Sequence, residues 1–295
     1  MRIVRTEREL REVLDVERRA GRTIGLVPTM GALHEGHLSL VRLAHESADV
    51  VVVSVFVNPL QFGEGEDYEH YPRDTEGDLE LLEGERADIA FLPSVDAMYP
   101  ADATVVVKTG PLGEVFEGAA RPGHFDGVCT VVTKLFHLVE PDTAIFGQKD
   151  AQQVAVLSHL VKDLNFRVRL IEAPIVREGD GLAMSSRNAY LTIEQREQAL
   201  ALSRSLQLGR AELERSNDAS ACERAMREHL AAANGVAVSY AAAVDPVTFG
   251  PPGGGGVLLI VAARVGTTRL IDNELVARAK PGTRNQERMR HAARG

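Results

Sequence analysis

The chain has 295 residues, of which 44% are hydrophobic and 25% are charged, as is typical of a soluble globular protein. Its 33 basic and 42 acidic residues give a formal net charge of −9, which argues against broad binding to nucleic acids or anionic membranes. The longest apolar run, residues 50–57, is far shorter than the ~18 residues that a transmembrane helix needs.

The N-terminus and the cysteines bear on the compartment. Residues 1–7 are charged and lack the apolar core of a secretory signal. Cys129 and Cys222 are distant in sequence and form no CxxC motif, so two buried free thiols are favoured over a single disulfide. We therefore expect a cytoplasmic protein.

The first half of the chain alternates between two kinds of pattern. Apolar runs predict strands at residues 23–29, 49–58, 88–92, 143–146 and 167–171. Helical spacing of apolar side chains predicts helices at residues 36–47, 75–86, 126–139 and 150–164. Because the Val-rich second strand is apolar on both faces, we expect a doubly wound parallel sheet, an α/β Rossmann-like domain over residues 1–176.

The pattern changes after Val176, where residues 177–181 (REGDG) form a candidate domain junction. Two helices are predicted at residues 192–213 and 219–233, the first with a capping box of Thr192 and Gln195. Residues 236–244 and 257–265 predict strands. We therefore expect a smaller α+β domain over residues 177–282, followed by a disordered polar tail, residues 283–295.

The loop after the first long strand carries two histidines three residues apart, His34 and His37. Its full sequence is Met30, Gly31, Ala32, Leu33, His34, Glu35, Gly36 and His37. Backbone amides at a helix start, together with imidazole donors, are suited to binding phosphate. A zinc site is disfavoured, because the zinc-protease pattern needs histidines at i and i+4 and a third ligand.

Three other segments at strand ends or in loops carry polar side chains that could bind an anion or a hydroxylated ligand. They comprise Asn58 and Gln61, then Gly147, Gln148, Lys149, Asp150 and Gln153, and finally Met184, Ser185, Ser186 and Arg187. Taken singly, each has a simpler interpretation: Asp150 as a helix N-cap, Lys149 as an exposed lysine, and the serines as a polar loop. No P-loop, GxGxxG or GxSxG motif is present.

In this order, the segments resemble the pantoate–β-alanine ligase (pantothenate synthetase) family. The matching stretches are residues 28–37, 56–59, 61–62, 71–73, 121–125, 146–150, 152–153, 176–178, 181–188 and 191. They span nearly the whole of the first 190 residues, and their coincidence in one register is far more specific than any single motif. The C-terminal domain matches only in length and placement.

The resemblance implies a two-step reaction. The carboxylate of pantoate attacks the α-phosphorus of Mg²⁺-ATP to give pantoyl-adenylate and pyrophosphate, and the amine of β-alanine then displaces AMP. The resemblance also implies an adenylyltransferase-type Rossmann fold, in which His34 and His37 match the HxGH element and residues 184–187 occupy the place of KMSKS. A homodimer and small-molecule substrates, with no nucleic acid or membrane partner, are expected.

By the same resemblance, His37 is the proton donor. The expected phosphate-binding set is His34, Lys149, Ser185, Ser186 and Arg187. Residues 30–37, residues 147–150, Val176 and Met184 are expected to frame ATP, while Gln61, Gln153 and Asn58 hold the organic acid. The magnesium ligands and the roles of Tyr71, Arg73, Arg121 and His124 stay open.

Three other functions remain as alternatives. A nucleotidyltransferase of the same fold would retain AMP in its product, a scaffold protein would bind ATP without turnover, and a metallohydrolase would contain stoichiometric zinc. We also hypothesise that the C-terminal domain is a lid, since a mixed anhydride must be shielded from water. In this hypothesis the lid carries residues 185–187 inward on a hinge near Gly179 and Gly181.

Overall fold

The computed structural model describes residues 1–277, which fall into two compact units, Met1–Leu191 and a second unit that begins at Thr192. The strands of the first unit are β1 (Arg2–Val4), β2 (Ile24–Thr29), β3 (Val50–Val55), β4 (Ile89–Phe91), β5 (Thr143–Gly147) and β6 (Arg169–Ala173). They form one sheet in the order β1-β4-β3-β2-β5-β6, and every neighbouring pair is parallel. The predicted doubly wound sheet is thereby confirmed.

The helices of the first unit cover both faces of this sheet. They are α1 (Glu7–Arg19), α2 (Glu35–His45), α3 (Thr75–Gly84), α4 (Val95–Met98), α5 (Glu117–Ala120), α6 (His124–Val139) and α7 (Ala151–Asp163). Val50 and Val52 of β3 pack into the core beneath α1 and α6, whereas Val51 and Val53 pack into the core beneath α2 and α3. Alternate side chains of β3 are thus buried on opposite faces, as its continuous Val-rich sequence predicts.

The strand order places a switch point between β2 and β5. From β2 the chain moves outward to β3 and β4, and it then returns to β5 on the other side of β2. Loops that leave the carboxyl ends of β2 and β5 therefore diverge and leave a crevice between them. Both histidines of the first motif follow β2, and Lys149 follows β5.

The second unit contains α8 (Ile193–Ser216), α9 (Ala219–Ala232) and an antiparallel sheet of β7 (Val236–Val244), β8 (Val257–Val265) and β9 (Thr268–Val276). Its α+β character and the capping box of Thr192 and Gln195 are as predicted. The junction was expected at residues 176/177, whereas the structure divides at 191/192, so residues 177–191 lie in the first unit. The predicted tail, residues 283–295, lies outside the described residues.

None of the helices within residues 1–277 is both long enough and apolar enough to cross a membrane. Cys129 and Cys222 are both buried and unpaired in the structure. Burial raises the pKa of each thiol to about 12, so both stay protonated at neutral pH.

Candidate functional site

A cavity of about 220 Å³ lies within the first unit, at the carboxyl ends of β2, β3 and β5. Most of the predicted site residues line it: Met30, His34, Gly36, His37, Asn58, Gln61, Gly147, Lys149, Asp150, Gln153, Val176, Met184, Ser185, Ser186 and Arg187. Segments that are remote in sequence are thus brought to a single crevice. Five predicted residues are not part of the wall: Gly31, Ala32, Leu33, Glu35 and Gln148.

His34 and His37 form the start of α2 and fix each other's geometry. The backbone N–H of Gly36 donates to His34 Nδ1 at 3.1 Å, and the backbone N–H of His34 donates to His37 Nδ1 at 3.4 Å. The ring centroids are 4.1 Å apart. A Cβ on Gly36 would lie 2.8 Å from the His34 ring, so only glycine fits between the histidines without displacing that ring.

These hydrogen bonds determine where each imidazole carries its proton. Because each Nδ1 accepts a backbone N–H, the neutral ring is protonated on Nε2. Burial, reinforced by Lys149, lowers the pKa of His34 to about 4. Burial, the neighbouring His34 and Lys149 lower the pKa of His37 to about 3. At neutral pH the pair therefore supplies two Nε2–H donors without positive charge.

The turn before His34 is held by a buried carboxylate that the sequence analysis missed. Asp78 of α3, 3% exposed, accepts backbone N–H groups from Ala32 at 3.0 Å and Leu33 at 2.6 Å. Burial raises the pKa of Asp78. Gly31 has φ +82° and its Cβ would lie 2.8 Å from Asp78 Oδ2, so a side chain there is excluded. Gly31, Ala32 and Leu33 therefore shape the site through their backbone rather than line it.

Glu35 and Asp150, the two acidic residues that were expected at the ATP site, differ in their surroundings. Glu35 points to the surface, where both its oxygens accept hydrogen bonds from Arg42 at 2.7 and 2.9 Å. Asp150 does line the cavity and lies 3.8 Å from the Lys149 amine. Asp150 occupies the expected N-cap position of α7, but within residues 1–277 its side chain makes no capping hydrogen bond.

Side-chain contacts bind the Ser185–Arg187 loop to other segments of the first unit. Ser186 Oγ donates to the Ala32 carbonyl at 3.0 Å, next to the histidine turn. The Nε and Nη2 groups of Arg187 both donate to the Asp67 carboxylate at 2.9 Å, and its guanidinium lies 5.5 Å from the Tyr71 ring centroid. Asp67 was not predicted, since an acidic residue in an acidic loop gives no sequence signal.

A buried pair of amides forms the opposite part of the wall. Asn58 is 1% exposed and Gln61 is 8% exposed. Asn58 Nδ2 donates to Gln61 Oε1 at 3.0 Å, and Gln61 Nε2 donates to the Met30 sulfur at 3.0 Å. Ser54 also lines the cavity, and its Oγ is buried without a hydrogen-bond partner among residues 1–277. A polar ligand in the cavity would satisfy this hydroxyl.

Arg121 and His124 support the backbone of Gln61. His124 Nδ1 lies 2.8 Å from the Gln61 carbonyl, and its Nε2 lies 3.1 Å from Arg121 Nη1. Arg121 also forms a two-point ion pair with Glu66 at 2.7 and 2.8 Å. Burial and the Arg121 charge lower the pKa of His124 to about 4, so its ring is neutral. This arrangement ties the 62–73 segment to the start of α6.

The rest of the wall is apolar, and it holds few acidic groups. Val131, Leu135 and Phe146 lie along one side, and Asp150 is the one acidic residue among the described residues of the wall. Within residues 1–277, no group of three or more His, Cys, Asp or Glu side chains could hold a metal ion. The cavity therefore combines cationic and neutral donors at the strand ends with an apolar side suited to a branched aliphatic group.

Comparison with known proteins agrees with this geometry. The sequence matches the family described as pantoate-beta-alanine ligase over residues 2–275. It is 53% identical over 279 residues to a pantothenate synthetase of Thermotoga neapolitana, covering 94% of this chain and 100% of that protein.

Two solved structures are similar as well. Pantothenate synthetase from Thermus thermophilus matches with a TM-score of 0.89 and 47% identity, over 93% of this chain and 99% of that one. Pantoate-beta-alanine ligase from Francisella tularensis, complexed with beta-gamma ATP and beta-alanine, matches with a TM-score of 0.78 and 32% identity, over 93% and 97% of the two chains. With a family match over nearly its whole length and these relatives, the chain belongs to the pantoate–β-alanine ligase family.

Proposed function

We propose that the chain condenses pantoate with β-alanine in this cavity, using ATP and releasing AMP and pyrophosphate. The observation that carries the proposal is the convergence of two neutral Nε2–H donors, Lys149 and Arg187 on one crevice at the switch point of the sheet. The names of the relatives support the overall reaction. The allocation of residues rests on the geometry.

In the first step, a carboxylate oxygen of pantoate bonds to the α-phosphorus of ATP while the bond to the β-phosphate bridge oxygen breaks. Such a displacement requires positioning and charge neutralisation rather than a protein nucleophile. We assign neutralisation to Lys149 and Arg187, and hydrogen bonding to the oxygens of the transferred phosphoryl group to His34 and His37. We assign the binding of the leaving pyrophosphate to Ser185 and Ser186.

The pKa of His37 refines the role expected from the family. A ring with a pKa of about 3 is neutral at pH 7, so His37 acts as a hydrogen-bond donor through Nε2–H. A neutral donor stabilises charge that develops on the phosphoryl oxygens without first transferring a proton. A bound triphosphate would raise the pKa of His37, because a nearby negative charge favours the imidazolium form.

In the second step, the amine of β-alanine attacks the carbonyl of the adenylate, and AMP leaves with the electrons of the acyl–oxygen bond. Gln61, Gln153 and the Ser54 hydroxyl are the groups that would hold the carboxylate and hydroxyls of pantoate, whereas Asn58, whose two amide hydrogens go to Gln61 and Gly127, would support Gln61. The apolar side of the cavity would pack against the two methyl groups of pantoate. Neutral amides position a carboxylate without quenching it as a nucleophile.

Several finer features also belong to the proposal. Magnesium would bind through ATP phosphates and water, as it commonly does at nucleotide sites, which fits a cavity wall whose one acidic residue within the described part of the chain is Asp150. A homodimer and a cytoplasmic location are expected from the family and from the sequence.

The second unit is proposed as a lid, although Ser185, Ser186 and Arg187 lie in the first unit and would not move with it. The lid would be contradicted if crystals with and without ATP showed no movement of the second unit or of residues 185–187.

The decisive experiment measures exchange of labelled pyrophosphate into ATP. We expect exchange that requires pantoate and proceeds without β-alanine, and AMP release that requires β-alanine. A nucleotidyltransferase would instead retain AMP in its product, and a scaffold protein would bind ATP without exchange. Lys149→Ala should lower exchange at least about tenfold, or roughly 1.4 kcal/mol, whereas Lys162→Ala on the exposed end of α7 should not.

A further inference from the structure

A chain of hydrogen bonds leads from Tyr99 to the cavity. Tyr99 follows α4 and is not part of the cavity wall. Its hydroxyl donates to Asn58 Oδ1 at 2.8 Å, and Asn58 Nδ2 donates in turn to Gln61 Oε1 at 3.0 Å. Gln61 lines the cavity, so the phenol is connected to the wall through two buried amides.

The hydrogen bonds fix the direction of both amides. An amide group has one accepting end and one donating end. Asn58 Oδ1 accepts from the Tyr99 hydroxyl and from the Leu60 backbone N–H at 3.3 Å, so Nδ2 must face Gln61 Oε1 and the Gly127 carbonyl, 3.1 Å away. With Gln61 Oε1 occupied, its Nε2–H₂ group donates one hydrogen to the Met30 sulfur at 3.0 Å and keeps the second for a ligand in the cavity. Reversing either amide would place like ends together in a buried site and leave buried polar groups without partners.

The surroundings of Tyr99 keep its hydroxyl a donor. Burial raises the pKa of Tyr99 above its usual value, so the phenol stays protonated. The Lys134 amine lies 5.9 Å from the ring centroid, and the Phe56 ring lies 6.1 Å away on the side toward the cavity wall. The ring is thus half-buried beside Phe56 and Lys134, and the hydrogen bond to Asn58 Oδ1 holds its hydroxyl.

We propose that Tyr99 is a positioning residue for the acid substrate, acting through Asn58 so that Gln61 presents an N–H donor to the substrate's oxygens. The proposal rests on the proposed function, because it assigns Gln61 to pantoate. Tyr99 touches no substrate atom in this scheme. Its removal should weaken recognition of pantoate and leave the nucleotide side of the cavity unchanged.

The test is Tyr99→Phe, which removes the hydroxyl and keeps the ring. We expect the KM for pantoate in pyrophosphate exchange to rise about three- to tenfold, the size expected for one lost hydrogen bond, with the KM for ATP unchanged. Urea unfolding of the variant reports any general loss of stability. The matched control is Tyr240→Phe in β7 of the second unit, which should keep both KM values.

Two further measurements separate positioning from a merely structural role. In a double-mutant cycle with Gln61→Ala, read as pantoate affinity by calorimetry, Tyr99→Phe should add little once Gln61 is absent. Asn58→Asp places an oxygen against Gln61 Oε1 and should raise the pantoate KM more than Tyr99→Phe does. Additive effects in the cycle, equal effects on ATP and pantoate, or an unchanged pantoate KM in Tyr99→Phe would each overturn the positioning role. Absence of pantoate-dependent exchange in the unmodified protein would overturn the proposed function itself, and this role with it.

Discussion

The two halves of the candidate phosphate site are held in different ways. The His34–His37 turn is fixed by backbone N–H groups that bind the buried Asp78 carboxylate and the histidine rings. Arg187 is instead held by an ion pair with Asp67 whose side chains are 25% and 27% exposed. This two-point pair is mostly buried and so is stronger than a surface ion pair, but both partners are side chains that can rotate, and a phosphate offers Arg187 the same two-point geometry. The histidine side is therefore preorganised, whereas the arginine side is free to exchange a carboxylate for a phosphate.

The largest expected effect comes from removing a donor on the preorganised side. His37→Ala should lower the rate of adenylate formation about 100-fold, as loss of one preorganised donor to a transition-state oxyanion does. Pantoate-dependent pyrophosphate exchange measures it. His45→Ala, at the other end of α2, is the matched control and should exchange at the normal rate. Near-normal exchange in His37→Ala would show that this donor is not needed, and would contradict the contrast between the histidine side and the arginine side.

The second effect tests whether Asp78 makes that side rigid. Asp78→Ala leaves the Ala32 and Leu33 amides without their acceptor and should lower the free energy of unfolding by about 2 kcal/mol and kcat about tenfold. Urea unfolding and exchange kinetics measure the two quantities. Glu76→Gln, exposed on the same helix, should change neither. A stable Asp78→Ala variant with normal kcat would show that the turn holds its shape unaided.

The third effect is a pH dependence of stability. The folded-state pKa values of His34 and His37, about 4 and about 3, lie below the unfolded value of 6.5. Between these values the unfolded chain binds more protons, so stability is greatest above pH 6.5 and falls as the pH decreases toward 4. His37→Ala should lose about 1–2 kcal/mol less than the unmodified protein between pH 7 and pH 5. Denaturant unfolding at the two pH values measures this, and parallel losses in the two proteins would contradict the buried, neutral state of His37.

The smallest effect is expected on the arginine side, where Asp67 pairs with Arg187. Asp67→Asn weakens the carboxylate that competes for the bidentate edge of Arg187, so the KM for ATP should fall about two- to fivefold. Glu69→Gln in the same exposed segment is the control and should leave the KM unchanged. A rise in the ATP KM of Asp67→Asn would mean that Asp67 orients Arg187 rather than competes for it, and the contrast between the two sides would disappear.

The elements that the sequence predicted are those with strong periodic patterns. The Val-rich β3 and the apolar helices next to it were found because burial on two faces requires continuous apolar residues. Strand β1 and helix α1 were missed: β1 has three residues, and Leu10 and Leu14 are the buried side chains of α1. Strand β9 was missed because its buried positions include Thr268, Asp272 and Asn273, which do not form an apolar run.

The site residues likewise fall into those that a local sequence pattern identified and those that it did not. His34, Lys149 and Arg187 were identifiable because each lies in a short motif at a strand end or loop that carries the family resemblance. Asp67, Asp78 and Tyr99 were not identifiable, because each acts on a partner far along the chain. Asp78 lies 46 residues from Ala32, Tyr99 lies 41 from Asn58, and Asp67 lies 120 from Arg187.

The sequence alone determined the parallel sheet and the family, and it predicted the groups that we propose to meet a nucleotide. These depend on local properties: apolar periodicity within each element, and short polar motifs at the ends of strands. Tertiary structure decided the rest, namely which carboxylate holds the histidine turn, which one holds Arg187, where the two units divide, and which nitrogen of His34 and His37 carries the proton. Hydrogen-bond direction and burial set these features, and both depend on neighbours that only the folded chain brings together.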